Sequence, residues 1–319
     1  EARTPQMAKA LSQETGKALW ETTAELGSIV GKIEVSIAAY NERTGERRSD
    51  MPFGQAVLRH RAHGVMAVLG PFNFPGHLPN GHIVPALLAG DCVVFKPSEE
   101  TPSAGQALVE ALVEAGVPDG VVNLVQGGRE VGAALIDQKI DGLLFTGSAQ
   151  AGAFFRRHFA GRPDVILALE LGGNNPLIAW DVADAEAAAA LIVQSAFITT
   201  GQRCSCARRL IIPTGKAGDA LIESVLALTE RLRIGAWDDA DEPFMGPLIS
   251  SRAANAARAA VASLPGRVLR QASQVEGRSE AFISPGLVDV TGHDVADEDR
   301  KSTRLNSSHS SVSRMPSSA

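Results

Sequence analysis

The feature that most constrains the fold is an alternation of short apolar runs with helical stretches, which begins at Gly64. Runs that are short and apolar throughout are typical of parallel strands buried on both faces, with helices covering those faces. The sequence therefore predicts an α/β fold around a parallel sheet. The expected strands are Val65–Leu69, Cys92–Phe95, Val121–Val125, Leu143–Phe145 and Val165–Leu169, and the expected helices lie near Gly81–Leu88, Ser103–Glu114 and Val131–Asp137 and after Ala149.

Beyond Gly172 the sequence begins a second unit, with an Ala-rich amphipathic helix over Asp184–Thr199, a strand over Arg209–Ile212 and a helix over Ala217–Leu232. A chain of 319 residues that is 45% hydrophobic is long enough for two cores. We expect one domain from residues 1–42 and 62–172 and a second from residues 173–298. Residues 43–61 are polar and rich in turn residues, and we expect them to form a hairpin arm.

Both ends of the sequence look truncated. Residue 1 is Glu, and helical spacing starts at once over Glu1–Val35, so we expect the natural N-terminus to lie upstream. Lys301–Ala319 contains eight Ser and no apolar periodicity, which predicts disorder. Asp299–His309 looks like a translated sequencing-library adapter, so we expect a non-native tail over residues 299–319 and an incomplete second domain. A natural Ser-rich tail is the alternative.

Composition narrows the possible partners. The net charge of -6, with Lys and Arg scattered among Asp and Glu, gives no basic stripe for a nucleic acid. The longest apolar runs fall well short of the ~20 residues that span a bilayer. Three cysteines, two of them at Cys204 and Cys206, indicate no disulfide framework and fit a reducing cytoplasm. We expect no metal site and no membrane partner.

The stretch with the most chemical information is Gly201-Gln202-Arg203-Cys204-Ser205-Cys206, which lies between an expected helix and an expected strand. A thiol attacks a carbonyl as its thiolate, and nearby positive charge, here Arg203, Arg208 and Arg209, favours that form. Taken alone, a cysteine is more often inert packing.

A second informative stretch is Leu169-Glu170-Leu171-Gly172-Gly173-Asn174-Asn175-Pro176. A carboxylate that is buried at the end of an apolar strand costs free energy, so Glu170 is a candidate general base. The alternative is a carboxylate that only accepts hydrogen bonds from the backbone of the Gly-Gly turn.

Together these stretches resemble the aldehyde dehydrogenase superfamily, from Glu14-Thr15-Gly16-Lys17 to Gly246-Pro247-Leu248-Ile249. The resemblance implies a Rossmann-type NAD-binding domain followed by an α/β catalytic domain. It implies that Cys204 is the nucleophile, that Glu170 activates the water that hydrolyses a thioester, and that Cys206 is structural. Asn73, in Pro71-Phe72-Asn73-Phe74-Pro75, would bind the oxyanion, although such an Asn by itself is typical of a turn.

The same resemblance implies an NAD site. The turn Phe145–Gly152 follows a strand and opens a helix, where Gly147, Ser148 and Gly152 allow a pyrophosphate to approach the helix N-terminus. Lys96 and Glu99 match residues that bind the adenosine ribose, and a carboxylate there argues for NAD over NADP; their alternative is an exposed ion pair. Gly127 and Gly128 match a loop near the adenine, and Gly172 belongs to the Glu-Leu-Gly-Gly motif.

Within the superfamily, Asn73–His82 and Gly201–Arg209 look most like the branch that oxidises N-succinylglutamate 5-semialdehyde in arginine catabolism. That substrate carries two carboxylates, so Arg203 and His77 are expected substrate contacts. The alternatives are an Arg that pairs with a neighbouring carboxylate and a His satisfied within a turn. The intact protein is expected to be a homo-oligomer.

Three functions stay open at this point. The first is an active dehydrogenase, whether for this aldehyde or another. The second is a relative that transfers the acyl group, but such enzymes lack the water-activating carboxylate, so Glu170 favours hydrolysis. The third is a truncated, inactive dinucleotide-binding fragment.

Overall fold

The structure is a computed structural model that describes residues 4–295 and 309–315. The chain divides into two compact units. The first contains residues up to 14, 22–147 and 151–170, and the second contains residues 15–21, 148–150 and 171 onward. The sequence placed the boundary at residue 172, and it assigned residues 15–21 to the first domain instead of the second.

The N-terminal region forms two helices, α1 (Thr4–Thr15) and α2 (Leu19–Arg43), instead of the single helix expected. The helix breaks at Gly16, which has φ of 75°. A Cβ at this position would lie 2.6 Å from the Pro247 side chain, so the break needs glycine both for its backbone conformation and for its close packing.

The expected hairpin is present in the structure. The strands β1 (Arg47–Met51) and β2 (Gly54–Leu58) pair antiparallel, from Arg47 with Leu58 to Met51 with Gly54. Both strands are exposed along their whole length. The side chain of Phe53, at the turn between them, is 87% exposed.

The first unit is built on a five-stranded sheet in the order β5-β4-β3-β6-β7. The chain moves outward from β3 to β5 and then returns to place β6 beside β3, in parallel. Such a reversal is where open α/β sheets bind ligands, at the carboxyl ends of the strands. The elements are β3 (Val65–Leu69), α3 (His77–Leu88), β4 (Cys92–Lys96), α4 (Pro102–Glu114), β5 (Val122–Leu124), α5 (Arg129–Ile136), β6 (Gly142–Gly147), α6 (Ala149–His158) and β7 (Ile166–Leu171).

The two faces of this sheet carry separate cores, as the uniformly apolar strands predicted. Met66 and Val68 of β3 face one core with Ile83 of α3, whereas Ala67 and Leu69 face another with Leu143. The outer strand β7 departs from the expectation, because no residue in it is fully buried. Its first residue donates a backbone hydrogen bond to the Asp141 carbonyl, which aligns β7 with β6.

The second unit contains a five-stranded sheet in the order β10-β11-β12-β9-β8. Asp184 caps helix α7 by accepting hydrogen bonds from the amides of residues 186 and 187, and Ser250 caps helix α9. The sequence analysis did not identify β8, α9, β10 or β11. The elements are β8 (Asn175–Ile178), α7 (Ala185–Phe197), a 3₁₀ turn (Ile198–Gly201), β9 (Ala207–Pro213), α8 (Lys216–Glu230), α9 (Ser251–Ala262), β10 (Arg267–Arg270), β11 (Gly286–Asp289) and β12 (His309–Met315).

The expectation of a disordered tail is wrong for His309–Met315. This segment is strand β12, which pairs in parallel with β11 on one side and β9 on the other. Two neighbouring strands satisfy its backbone hydrogen-bonding groups, which the Ser-rich composition did not indicate. The remainder of the expected tail, 299–308 and 316–319, lies outside the described residues.

Within the described ranges, no helix combines the length and apolar character needed to cross a membrane. No cluster of three or more His, Cys, Asp or Glu side chains in that part of the chain could hold a metal ion. Cys92, Cys204 and Cys206 are free thiols.

Candidate active site

The structure brings most of the predicted cofactor residues to one edge of the first unit's sheet. Lys96 ends β4, Gly147 ends β6, and Gly127 and Gly128 follow β5. Asn73 follows β3 and Glu170 lies near the end of β7. Because these strands run in one direction, all of these positions lie at the carboxyl edge, where the reversal of strand order predicts a ligand. In the sequence Ser148 and Gly152 follow at the start of α6, and Gly172 comes directly after β7.

Asn73 is buried, and its Oδ1 accepts a hydrogen bond from the Phe74 amide at 3.1 Å. This local bond is the kind that an asparagine makes in a turn, so the oxygen of the side chain agrees with the alternative interpretation of Asn73. With Oδ1 engaged as the acceptor, the NH₂ group is the hydrogen-bond donor of this side chain. A hydrogen-bond donor is what an oxyanion requires.

Lys96 and Glu99 differ from an exposed ion pair. The Lys96 side chain is only 8% exposed, whereas that of Glu99 is 59% exposed, and their charged atoms lie 3.8 Å apart. Lys96 Nζ also donates to the Pro97 carbonyl at 2.9 Å. Burial lowers the pKa of Lys96, and the Glu99 and Glu130 carboxylates act in the opposite direction. The pair therefore presents an accessible carboxylate beside an anchored ammonium group.

The turns at this edge depend on glycine. A Cβ at Gly147 would lie 2.3 Å from the Phe145 ring, and a Cβ at Gly127, where φ is 144°, would lie 2.3 Å from Val131. The Gly128 amide donates to Glu130 Oε1 at 3.0 Å, at the N-terminus of α5. This bond and one from its own amide lower the pKa of Glu130, a residue that the sequence analysis did not consider.

Glu170 is exposed, which corrects the premise that it is a buried carboxylate. His82 of α3, which sequence reasoning missed, is electrostatically coupled to it. Burial lowers the pKa of His82, the Glu170 carboxylate raises it, and Lys32 lowers it.

The geometry of the sheet explains that coupling. His82 lines a cavity with Leu144 and Ile166, and successive residues of a strand point to opposite faces. Thr146 and Glu170 therefore lie on the same face of β6 and β7 as His82. His82 Nε2 is 3.0 Å from Thr146 Oγ1.

The second unit holds the predicted nucleophile. Cys204 is exposed in the loop between the 3₁₀ turn and β9, whereas Cys206, two residues later, is buried. The Asn175 side chain donates to the carbonyls of both cysteines, at 2.6 Å and 3.0 Å. Asn175 belongs to the Gly-Gly-Asn-Asn-Pro stretch, but its role as a support for this loop was not predicted.

Cys206 behaves as a packed thiol. Its side chain contacts the Ile198 carbonyl at 3.6 Å, and burial raises the pKa of the thiol against the opposing effects of Arg208 and Arg203. A buried cysteine that is harder to ionise is a poor nucleophile. The structure therefore supports the interpretation of Cys206 as structural.

The contacts of Gln202 give a structural reason for a glutamine two residues before the predicted nucleophile. It is buried, its Nε2 donates to the Thr199 carbonyl at 3.2 Å, and its Oε1 accepts from the Ile249 amide at 3.0 Å. One side chain thus joins the start of the loop to the segment around residue 249.

Arg203 and His77, the expected substrate contacts, both contact protein groups. Arg203 Nε donates to Thr199 Oγ1 at 2.7 Å, and a terminal nitrogen lies 3.2 Å from Glu21 Oε1. This favours the alternative of an Arg that pairs with a carboxylate. The backbone amide of His77 donates to Glu25 Oε1 at 3.2 Å. The His77 ring packs edge-on against the Phe74 ring, with 6.3 Å between the ring centroids.

The chain belongs to the aldehyde dehydrogenase family, whose sequence profile matches residues 1–298. Among curated relatives, it is 76% identical over 298 residues to an N-succinylglutamate 5-semialdehyde dehydrogenase of Caulobacter sp. (strain K31), covering 93% of this chain and 62% of the relative. It is 52% identical over 286 residues to the protein of that name in Escherichia coli, covering 88% and 58%. The chain thus spans about three fifths of the length of these relatives.

Solved structures give the same family. Lactaldehyde dehydrogenase from Escherichia coli superposes with a TM-score of 0.87 at 30% identity, covering 99% of this chain and 66% of that one. A 1-pyrroline-5-carboxylate dehydrogenase from Thermus, solved with bound NAD, gives a TM-score of 0.89 at 28% identity, with coverage of 99% and 62%.

Proposed function

We propose that this chain is the NAD-binding and nucleophile-bearing part of an enzyme that oxidises N-succinylglutamate 5-semialdehyde to N-succinylglutamate in arginine catabolism. The observation that carries the proposal is the 76% identity to a relative of that name over 298 residues, a range that includes every predicted site residue. The exposed β1–β2 hairpin, with Phe53 at its tip, supports a homo-oligomer for the intact protein.

The chemistry assigned to the chain's own residues begins with the Cys204 thiolate, which attacks the aldehyde carbon and forms a thiohemiacetal. The amide NH₂ of Asn73 donates to the oxyanion that forms. NAD, when bound, supplies the acceptor for the hydride that leaves this carbon. Glu170 then takes a proton from water, hydroxide adds to the resulting thioester, and its collapse releases the acid and the Cys204 thiolate.

The residues at the carboxyl edge fit a dinucleotide. Gly127 and Gly147 stand where a Cβ would meet neighbouring side chains, so these turns keep their tight backbone only with glycine. A tight turn at a helix N-terminus presents backbone N–H groups, which suit a pyrophosphate. Lys96 is anchored by the Pro97 carbonyl, and the exposed Glu99 carboxylate can accept hydrogen bonds from ribose hydroxyls. Because a carboxylate repels a 2′-phosphate, this site favours NAD over NADP.

The acyl-transferring alternative is less well supported. Glu170 is exposed, so water can reach its carboxylate, as hydrolysis of the thioester requires. An inactive dinucleotide-binding fragment stays as the third candidate, since binding of NAD would need only the first unit's carboxyl edge.

The test is NADH formation by the full-length product of this gene. N-succinylglutamate 5-semialdehyde is compared with simple aliphatic aldehydes, NAD with NADP, and the wild type with Cys204→Ala and Cys206→Ala. We expect preference for the succinylated substrate and loss of turnover in Cys204→Ala only. Turnover of other aldehydes alone would support aldehyde oxidation and contradict the succinylated substrate. NAD binding without turnover would support the inactive dinucleotide-binding fragment.

A further inference from the structure

We propose that Glu21, Thr199 and Arg203 form a clamp that fixes the backbone of residues 202–206, the nucleophile loop. Arg203 is then a positioning residue instead of a substrate ligand. All three lie in the second unit. The proposal deepens the proposed function, on which it rests only in taking Cys204 as the nucleophile.

The backbone that leads into the loop has a conformation that its own side chains disfavour. Thr199 and Thr200 have φ of 56° and 55°. The left-handed region is uncommon for residues other than glycine, and a β-branched residue there is a genuine outlier. Both threonines are buried. Such a conformation persists only where the surroundings over-determine it.

The clamp supplies those constraints. Thr199 Oγ1 donates to Glu21 Oε1 at 2.5 Å and accepts from Arg203 Nε at 2.7 Å. Arg203 also donates to the same Glu21 oxygen at 3.2 Å, so that the three side chains close a triangle. Thr200 is held separately, because its hydroxyl donates to the Gly246 carbonyl at 2.8 Å.

The burial of Glu21 makes the three members dependent on one another. Its side chain is 1% exposed, and its second oxygen, Oε2, has no hydrogen-bond partner among the described residues. A buried carboxylate is tolerated only when it is paired. Glu21 therefore needs the Arg203 guanidinium, which reaches Thr199 from Nε and Glu21 from a terminal nitrogen. The single nitrogen of a lysine ammonium cannot reproduce this planar arrangement.

The clamp acts on Cys204 through the chain. Cys204 directly follows Arg203, so holding the guanidinium restricts the peptide that carries the thiol. On the other side, Asn175 holds the carbonyls of Cys204 and Cys206. The nucleophile is thus exposed on a loop whose backbone is fixed before and after it.

Cys206 offers a readout that needs no turnover. In the wild-type chain it is buried and should react slowly with iodoacetamide, whereas the exposed Cys204 should react quickly. We expect Arg203→Lys, Glu21→Gln and Thr199→Val to accelerate alkylation of Cys206 by about tenfold or more, since each opens the loop locally. Peptide mass spectrometry follows all three thiols, and Cys92, in the first unit, reports on general unfolding.

Two variants serve as controls. Thr199→Ser keeps the hydroxyl, and Arg267→Lys alters a different Arg–carboxylate pair of the second unit, with Asp289 at 3.6 Å. Neither should expose Cys206. If Cys206 stays protected in both Arg203→Lys and Glu21→Gln, the clamp is wrong.

Turnover by the full-length protein separates positioning from substrate binding. A positioning role predicts that Arg203→Lys lowers kcat by the same factor for succinylated and simple aldehydes. An increase in KM confined to the succinylated substrate, with Cys206 still protected, would show that Arg203 binds the substrate and would contradict the positioning role. If Cys204→Ala kept its turnover, the proposed function would fail, and the alkylation pattern would still decide whether the clamp exists.

Discussion

In the 3₁₀ turn that leads into the nucleophile loop, two threonines take positive φ and are held by side-chain hydrogen bonds, whereas in the turns at the carboxyl edge the tight positions are glycines. Hydrogen bonds that Arg203, Asn175 and Gln202 donate, and that Glu21 accepts, leave the loop few alternative conformations. The glycine turns depend instead on the lack of a Cβ, because a neighbouring ring or side chain already occupies the space that a Cβ would need. A nucleophile needs a fixed position relative to its substrate, and a phosphate-binding turn needs a tight backbone that presents its N–H groups.

The largest expected effect separates the two regions by reaction step. Glu170→Gln removes the proposed base at the carboxyl edge and should lower steady-state turnover by about 10²–10⁴-fold. It should still release one equivalent of NADH per active site, because Cys204 forms the thioester without it. Rapid mixing of the full-length protein with substrate measures this burst. Cys204→Ala, the control, should lose the burst, and a burst also missing in Glu170→Gln would break the division of roles.

A methyl group at Gly147 tests the glycine turns. Gly147→Ala places a Cβ against Phe145 and should destabilise the first unit by about 1–3 kcal/mol while weakening NAD binding. Gly161→Ala is the matched control, because its Cβ would meet no atom within 4 Å. Thermal unfolding and NAD titration check both variants. Equal behaviour of the two would mean that the turn does not depend on glycine.

The charge at Glu99 should set the choice of cofactor. Glu99→Gln keeps the shape and removes the negative charge, so the ratio of kcat/KM for NADP to that for NAD should rise by about tenfold, the effect of roughly 1.4 kcal/mol. Glu100→Gln, the neighbouring carboxylate, should leave the ratio unchanged. A ratio that does not move in Glu99→Gln would remove Glu99 from the cofactor site.

The smallest effect concerns the titration of His82. Because the Glu170 carboxylate raises its pKa and Lys32 lowers it, Glu170→Gln should lower the pKa of His82 and Lys32→Gln should raise it. NMR titration of the imidazole measures both shifts. Shifts in the reverse directions would contradict the placement of Glu170 on the His82 face.

The free energy of unfolding should also depend on the protonation of His82. Burial holds the pKa of His82 below its ordinary value of 6.5, so the unfolded chain binds the proton more readily. The free energy of unfolding should therefore fall as pH drops below about 6.5 and level off once the pH is below the lowered pKa. His82→Gln should remove this part of the pH dependence.

The sequence predicted the first sheet well because its strands are buried on both faces. Val65–Leu69 was placed with the bounds that the structure shows, and the other four strands of this sheet were placed within two residues at each end. In the second unit the pattern is weaker. Strand β8 contains Pro176 and is partly exposed, and α9 buries Ala254, Ala257 and Val261, a face too small to stand out.

Candidate site residues could be proposed from the sequence where short motifs carry the chemistry, as with Cys204 and the Gly147 turn, and their roles stay predictions. The supports of these residues were not predicted, because they depend on contacts between distant positions. Nothing local to Glu21 indicates that its partners are Thr199 and Arg203, and Asn175 contacts carbonyls 29 and 31 residues away. For the same reason, the sequence offered the pairing of Arg203 with a carboxylate only as an alternative and could not name Glu21 as the partner.

The placement of residues 15–21 has a consequence for how the chain folds. This segment belongs to the second unit, and Glu21 meets Thr199 and Arg203 across 178 and 182 positions of sequence. Contacts between residues so far apart in sequence form late in folding. The chain loses the entropy of closing a long loop before these contacts can stabilise it. The sheet of the first unit is formed by residues that lie, in the sequence, between Glu21 and Thr199. The nucleophile loop should therefore acquire its final conformation only after that sheet has formed. A refolding chain should recover protection of Cys92 before that of Cys206.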